Sequence, residues 1–165
     1  MIERDLATTR LPLITHEWTL AAYSDPVSLS TSQKRVLALS NTLVEELLAA
    51  DMIVIGARMH NSAVSALLKG WIDQVVCVGR TVRFNPNGPQ GLLTGKKAVV
   101  ITSPGGSYRA GTPTAQYDYQ EPYLRHILAF VGLTDATFLH AENQKTGELG
   151  EPRGQRRLLK FKRLR

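Results

Sequence analysis

The chain has 165 residues, of which 43% are hydrophobic and 21% are charged, and this composition is typical of one globular domain and excludes a disordered or fibrous protein. No uninterrupted stretch of about 18 apolar residues occurs, so the sequence excludes a membrane span. The first residues are polar and acidic, unlike a signal peptide, and the single cysteine, Cys77, can form neither an internal disulfide nor a thiolate metal site. We therefore expect a soluble, cytoplasmic protein without a metal centre.

The net charge of +6 is concentrated at the C-terminus. Of the 20 basic and 14 acidic side chains, eight and two respectively lie in residues 145–165, so residues 1–144 hold twelve of each. This distribution predicts two parts, a neutral domain over residues 1–144 and a basic tail over residues 145–165. The tail can attract phosphate backbones, so a polyanion binder is one alternative function. Phe161 is its single aromatic residue, and we expect a solvated tail rather than a nucleic-acid-binding element.

The first clear element of secondary structure is a helix. Two prolines and scattered apolar residues predict that residues 7–29 form a long loop or a few short turns. Ser30 and Gln33 then have the spacing of a capping box, in which each side chain satisfies a backbone donor of the other residue. Apolar residues follow at helical spacing from Val36 onwards. The sequence therefore predicts a helix over 32–49.

Two short apolar runs, residues 52–56 and residues 97–103, predict strands that are buried on both faces in the middle of a parallel sheet. The same kinds of pattern predict four further elements: a loop over 57–61, a helix over 64–75 that ends near Gly79, a helix with Pro122 in its first turn and Gly132 as its stop, and a strand over 134–140. Helices and strands thus alternate. This order predicts an α/β fold with a parallel sheet and right-handed crossovers.

Two loops follow the strongest strands, over residues 56–62 and 103–108. In open α/β sheets, ligands bind outside the carboxyl ends of the strands, so we expect any function to lie in these loops. Asn61 or Ser62 can cap the following helix, and the pair Gly105-Gly106 allows a ligand to approach backbone amides closely. Such loops suit a planar heterocycle with carbonyl and ring-nitrogen acceptors, although the same residues are common in ordinary turns.

Four blocks of the sequence together carry a resemblance: IVIGARMHN at residues 53–61, LKGWID at 68–73, GPQGLLTGKK at 88–97 and SPGG at 103–106. In this order they resemble the FMN-dependent NADH-azoreductases, which are NADH:quinone oxidoreductases of flavodoxin-like fold. The resemblance runs from residue 1 to residue 142. It implies a three-layer parallel sheet with helices on both faces, FMN as the cofactor, and a homodimer. It also implies that NADH gives a hydride to flavin N5 and that a quinone or azo compound then takes the two electrons in a ping-pong sequence.

The resemblance further implies which residues touch the cofactor. They fall in two loops along the two flanks of the flavin ring: Met59, His60, Asn61 and Ser62 in the first, and Ser103, Pro104, Gly105 and Gly106 in the second. Phe84 matches an aromatic residue that lines the pocket over the flavin, often across a homodimer interface, and it is our candidate for a catalytic role. His60 stands where the family usually has tyrosine, so we expect it to contribute its backbone. The chemistry requires neither a side-chain nucleophile nor a metal.

Both ends of the chain depart from that family. Its members begin with a strand and a serine-rich loop that holds the FMN phosphate at a helix N-terminus, whereas residues 3–6 here already resemble the end of the second strand. We therefore expect a sheet that lacks the family's first strand and its phosphate loop. After Asn143 the family continues into an alanine-rich helix, which the glycines, proline and basic residues of this chain replace. An alternative function is thus that of a truncated, non-catalytic member with weak or no FMN binding.

Overall fold

Helices and strands alternate along the chain in a computed structural model that describes residues 1–144. The basic tail expected at residues 145–165 lies outside the described residues. The elements in chain order are α1 (His16–Ala22), α2 (Thr31–Val36), α3 (Ala38–Ala49), β1 (Met52–His60), β2 (Ala63–Val64), α4 (Ala66–Val75), β3 (Val82–Asn85), β4 (Gly88–Gly91), β5 (Lys97–Ser103), a 3-10 turn (Ala115–Tyr117), α5 (Gln120–Phe130) and β6 (Asp135–His140). No helix within residues 1–144 is long and apolar enough to cross a bilayer.

The main sheet has the order β2-β1-β5-β6. Strand β5 is parallel to both of its neighbours, with Ala98 opposite Ile53 on one side and Ala136 on the other. The predicted α/β fold with a parallel sheet is therefore confirmed. Two features of the strands were not predicted: β2 adds to β1 as an antiparallel strand, and β3 and β4 form a separate hairpin.

The sheet buries its apolar side chains on one face. Along β1 the residues alternate, so that Ile53 and Ile55 are 8% exposed whereas Met52 and Val54 are 55% and 61% exposed. The buried side chains of β1 and β5 join one core with those of α3, α4 and α5. For β1 the expectations of burial on both faces and of helices on both faces are thus wrong, because no described helix covers its second face, whereas the alternate residues of β5 are half-buried.

The predicted helix over 32–49 is two helices. The capping box is confirmed at Ser30, whose side chain accepts from the Gln33 amide while the Gln33 side chain accepts from the Ser30 amide. The prediction of one continuous helix is wrong, because the chain turns at Leu37 between α2 and α3. Leu37 is 9% exposed and packs with Trp18 and Ala21 of α1. The bend brings Leu37 to this small cluster.

Residues 7–29 also contain more structure than the sequence predicted, because α1 lies within them. Thr15 caps α1, since its Oγ1 accepts from the Trp18 amide at 3.1 Å. A seven-residue helix has too few apolar residues for a periodic signal. Its position is fixed instead by Trp18, whose Nε1 donates to the buried Oγ of Ser40 on α3 at 2.9 Å.

Residues 3–6, expected to resemble the end of a strand, are not in one. Instead the Asp5 carbonyl accepts from the amides of Thr8 and Thr9 in a turn. At the other end of the domain, Gly132 has φ +101° directly after the last residues of α5, which confirms the predicted stop. Strands β1, β5 and β6 all end at one edge of the sheet, where a site in this fold is expected.

Candidate functional site

The structure brings the two predicted loops together at the carboxyl edge of the sheet. Ser103, the last residue of β5, pairs with Arg58 of β1. The next residue after each of these two, Met59 and Pro104, lines the same cleft. The two segments that the sequence singled out are therefore neighbours, as parallel pairing of their strands requires.

The first of these loops is a tight hairpin turn. Asn61 and Ser62 both have positive φ, 46° and 65°, between the paired residues His60 and Ala63. Two central residues with positive φ are the signature of the type I′ turn, whose twist matches that of the strands it joins. The predicted loop over 57–61 is thus wrong in extent, because β1 continues to His60 and β2 pairs with its end.

The helix that follows the hairpin is capped by neither of the predicted residues. Its N-cap is Ser65, whose Oγ accepts from the Leu68 amide at 3.2 Å. Asn61 and Ser62 are held in the turn instead, and the Ser62 carbonyl accepts from the Tyr119 amide at 3.0 Å. This bond ties the hairpin tip to the residue before α5.

The second loop presents backbone donors. Pro104 is buried, and the carbonyls of Pro104 and Gly106 accept from the amides of Gln144 and Asn143, each at 3.2 Å. The amides of Gly105 and Gly106 donate to no acceptor among residues 1–144. Both glycines are half-buried and follow directly after Pro104, although neither of them lines the cleft itself.

The cleft between the loops contains residues that sequence reasoning did not assign. Besides Met59 and Pro104, its lining consists of Thr102, Tyr108, Arg109, Asp118, Gln120, Glu121, His140 and Glu142. The general rule for ligand sites would have pointed to the last two, since His140 ends β6 and Glu142 follows it at the same edge of the sheet.

Charged side chains in the cleft are paired across elements. The Glu142 carboxylate, only 9% exposed, lies 2.6 Å from Nε of Arg109. The two ring nitrogens of His140 lie 2.9 Å from Oγ1 of Thr102 and 3.3 Å from a carboxylate oxygen of Glu121. No group of three or more His, Cys, Asp or Glu side chains among residues 1–144 is arranged to hold a metal ion.

Phe84 does not join the cleft within one copy of the chain. It lies on β3 with 62% of its surface exposed, and its ring centroid is 6.5 Å from that of Phe130 in a T-shaped arrangement. Phe130 is the last residue of α5, whereas the loops lie beside the first. Since a helix rises about 1.5 Å per residue, this contact is roughly 15 Å from the cleft.

A wider groove runs along the free edge of β1. Only Met59 and His60 pair with β2, so residues 52–58 have one unpaired edge in the described part of the chain. The groove is lined by the first residues of the chain, by the C-terminal half of α3, and by side chains of β1 and α4, among them Val54 and Leu67. Arg58 also lines it, close to the carboxyl edge.

Comparisons with known proteins agree with this geometry. Residues 1–163 match the family model described as flavodoxin-like fold. The chain is 50% identical over 146 residues to FMN-dependent NADH:quinone oxidoreductase 2 of Trichormus variabilis. This match covers 88% of the chain and 70% of that relative. It is 46% identical over 143 residues to FMN-dependent NADH:quinone oxidoreductase of Hyphomonas neptunium, covering 86% and 67%.

A solved structure shows the same fold. An azoreductase from Bacillus anthracis superposes with a TM-score of 0.80 at 24% identity, over 88% of this chain and 70% of that one. The family resemblance noted in the sequence is thus confirmed. The chain belongs to the family of FMN-dependent NADH:quinone oxidoreductases, on a flavodoxin-like fold.

Proposed function

We propose that this chain is an FMN-dependent oxidoreductase that takes two electrons from NADH and passes them to a quinone or an azo compound. The observation that carries the proposal is the meeting of two loops, 59–62 and 103–106, at the carboxyl edge of the sheet in a chain 50% identical to a named FMN-dependent NADH:quinone oxidoreductase. Bound FMN supplies the redox chemistry. The protein has to bind its ring, orient it and admit the substrate.

The donor groups at this edge fit a flavin ring. The ring carries carbonyl oxygens and nitrogens that accept hydrogen bonds, and the amides of Gly105 and Gly106 are donors without a partner among the described residues. Met59, His60, Asn61 and Ser62 form the opposite flank, where the hairpin turn fixes the backbone. In this proposal Ser103 and Pro104 hold the glycine pair in place, and His60 contributes its backbone.

Phe84 requires a second copy of the chain for its proposed role. Its ring is 62% exposed and lies at the far end of α5 from the cleft. We therefore propose a homodimer in which Phe84 of one copy lines the flavin pocket of the other. Sedimentation of the wild-type chain tests the dimer. Phe84→Ala tests the pocket, because it should raise KM for the quinone while the separate subunit keeps its fold.

The phosphate of FMN lacks an evident cradle in residues 1–144. The first strand in this range is β1, and the residues before it form turns and helices. We propose that residues 1–144 contain no counterpart of the family's first strand and phosphate loop and that they hold FMN mainly through the ring. The expected consequence is that riboflavin, which has no phosphate, binds within about threefold of FMN, since helix-terminus contacts to phosphate are absent.

Flavin titration is the experiment that tests the function. The purified chain is titrated with FMN and with riboflavin, and tryptophan and flavin fluorescence report binding. Addition of NADH should then bleach the visible band of bound FMN, and a quinone should restore it. A folded chain that binds neither flavin refutes the proposal and favours the alternative of a non-catalytic member. A strong preference for FMN over riboflavin refutes only the proposal that a phosphate cradle is missing, and the proposed function stands.

Two other expectations from the sequence remain predictions. Polyanion binding through residues 145–165 predicts an affinity for heparin that falls steeply with salt and disappears when the tail is removed. The cytoplasmic location expected from the sequence is the second of these predictions.

A further inference from the structure

The loop that contains Gly105 and Gly106, whose amides have no acceptor among residues 1–144, is held to the segment after β6 by one carboxylate. Oε1 of Glu142 accepts from Oγ of Ser107 at 3.1 Å and from the amide of Tyr108 at 3.4 Å. Oε2 of the same side chain lies 2.6 Å from Nε of Arg109. Three consecutive residues of the loop, from side chain or backbone, thus meet a single carboxylate.

Parallel strand pairing explains why Glu142 reaches this loop. Strand β6 ends at His140 beside β5, and the amide of Ala141 continues the ladder by donating to the Thr102 carbonyl at 2.8 Å. The chain then runs along the loop, where the amides of Asn143 and Gln144 donate to the carbonyls of Gly106 and Pro104. The segment 141–144 therefore lies against residues 102–109 for its whole length.

The burial of this carboxylate makes its partners necessary. The Glu142 side chain is 9% exposed, and burying a charge is costly unless it is paired and hydrogen-bonded. Arg109 supplies the opposite charge while remaining 69% exposed, so its guanidinium stays hydrated. Removal of the carboxylate frees the loop at three points without creating an unpaired buried cation.

We propose that Glu142 is a positioning residue that holds loop 103–109 so that the amides of Gly105 and Gly106 are fixed beside the cofactor ring. This inference rests on the proposed function. A loop that is ordered before binding does not lose that conformational freedom when the cofactor binds, which raises affinity without any direct contact from the carboxylate. Glu142 therefore acts through the loop and not on the reacting atoms.

Two substitutions separate the parts of this role. Glu142→Ala removes all three contacts, whereas Glu142→Gln keeps an acceptor for Ser107 and Tyr108 and loses only the charge opposite Arg109. The matched control is Glu45→Ala, which removes a 69% exposed carboxylate paired with an arginine on another surface.

We call the three contacts of the Glu142 carboxylate with residues 107–109 the Glu142 latch. Amide hydrogen exchange in the FMN-free chain measures directly whether this latch holds the loop. In Glu142→Ala the amides of Tyr108 and Asn143 should exchange about tenfold faster, since each loses a bond or the support of its acceptor. Glu142→Gln should be intermediate, and Glu45→Ala should match the wild type. Amides in the middle of β5 should be unchanged in every variant, because a general loss of stability would accelerate them as well.

FMN affinity then measures what the latch does for the cofactor. We expect the Kd of Glu142→Ala for FMN to rise about tenfold and that of Glu142→Gln to rise less.

Unchanged exchange at Tyr108 and Asn143 overturns the latch, and faster exchange with unchanged Kd overturns the positioning role. If Glu142→Ala does not fold, the same exchange rates and FMN Kd are measured for Glu142→Gln and Arg109→Ala. Unchanged exchange in both of these variants overturns the latch, and faster exchange with unchanged Kd overturns the positioning role. A wild-type chain that binds no FMN refutes the proposed function and the positioning role together, while exchange still decides whether the latch exists.

Discussion

Gly91 is the position where one added methyl group should do the greatest damage. A Cβ built on Gly91 would lie 2.1 Å from the backbone nitrogen of Gly132 and 2.3 Å from the carbonyl carbon of Val131. Both contacts are with backbone, so no side chain can rotate away. The contact joins β4 to the end of α5, where Leu93 donates its amide to the Val131 carbonyl at 2.9 Å.

The cost of Gly91→Ala follows from this geometry. The two segments must separate by about 0.9 Å before the closest contact, now 2.1 Å, reaches 3.0 Å. Overpacking of this kind costs about 1–3 kcal/mol, and the stretched bond from Leu93 to Val131 adds about 1 kcal/mol. Alanine returns roughly 0.5 kcal/mol by restricting the unfolded chain. The net loss is therefore between about 1.5 and 3.5 kcal/mol, and we expect about 3 kcal/mol in the free energy of unfolding because every close contact is with backbone.

Urea and thermal denaturation measure this loss. For a domain of this size, about 3 kcal/mol corresponds to a decrease in Tm of roughly 6–12 °C. The matched control is Gly56→Ala in β1, where an added Cβ meets nothing within 4 Å and stability should change by less than about 0.5 kcal/mol. A loss below about 1 kcal/mol for Gly91→Ala, with an unchanged m-value, would refute the close approach of β4 and α5.

Three further predictions concern stability and reactivity. Ser40→Ala should lower the free energy of unfolding, measured by urea denaturation, by about 2–3 kcal/mol. The buried Ser40 hydroxyl accepts from Trp18 and donates to Gln74, so both partners would lose a hydrogen bond. A loss below about 0.5 kcal/mol would contradict that network. Ser62→Gly should raise Tm by an amount equivalent to about 1 kcal/mol, since Ser62 has φ 65°, and a lower Tm would show that the turn needs the side chain. Burial raises the pKa of the Cys77 thiol, so alkylation by iodoacetamide near pH 8 should be slower in the folded chain than in urea, and equal rates would contradict the burial. Because its pKa is raised in the folded chain, protonated Cys77 stabilises the fold below its ordinary pKa, and this contribution is lost as the pH rises through the raised pKa.

Several features of this protein were readable from the sequence because the signals act over a few residues. The capping box of Ser30 and Gln33 and the stop at Gly132 depend on backbone groups within one helical turn. The apolar runs at 52–56 and 97–103 identified the two central strands, and their alternation with helices indicated the parallel sheet. The rule that ligands bind at the carboxyl edge then located both loops of the candidate site.

Contacts between distant segments were decided by the tertiary structure alone. The bend at Leu37 depends on Trp18, and the extension of β1 to His60 depends on pairing with β2. Burial on a single face of the sheet depends on which helices are present to cover it. No local pattern reports such contacts, since their energy is gained only when the segments meet.

The candidate site shows the same division. The sequence alone indicated Gly105 and Gly106 because glycine lets a ligand approach backbone amides closely, and it placed Phe84 with them by resemblance. The tertiary structure put Phe84 at the opposite end of α5 and brought Glu142 to the loop across 33 to 35 residues of chain. Residue types and strand order determine where a cofactor can bind, whereas the side chains that fix its loops are set by strands that pair far apart in the sequence.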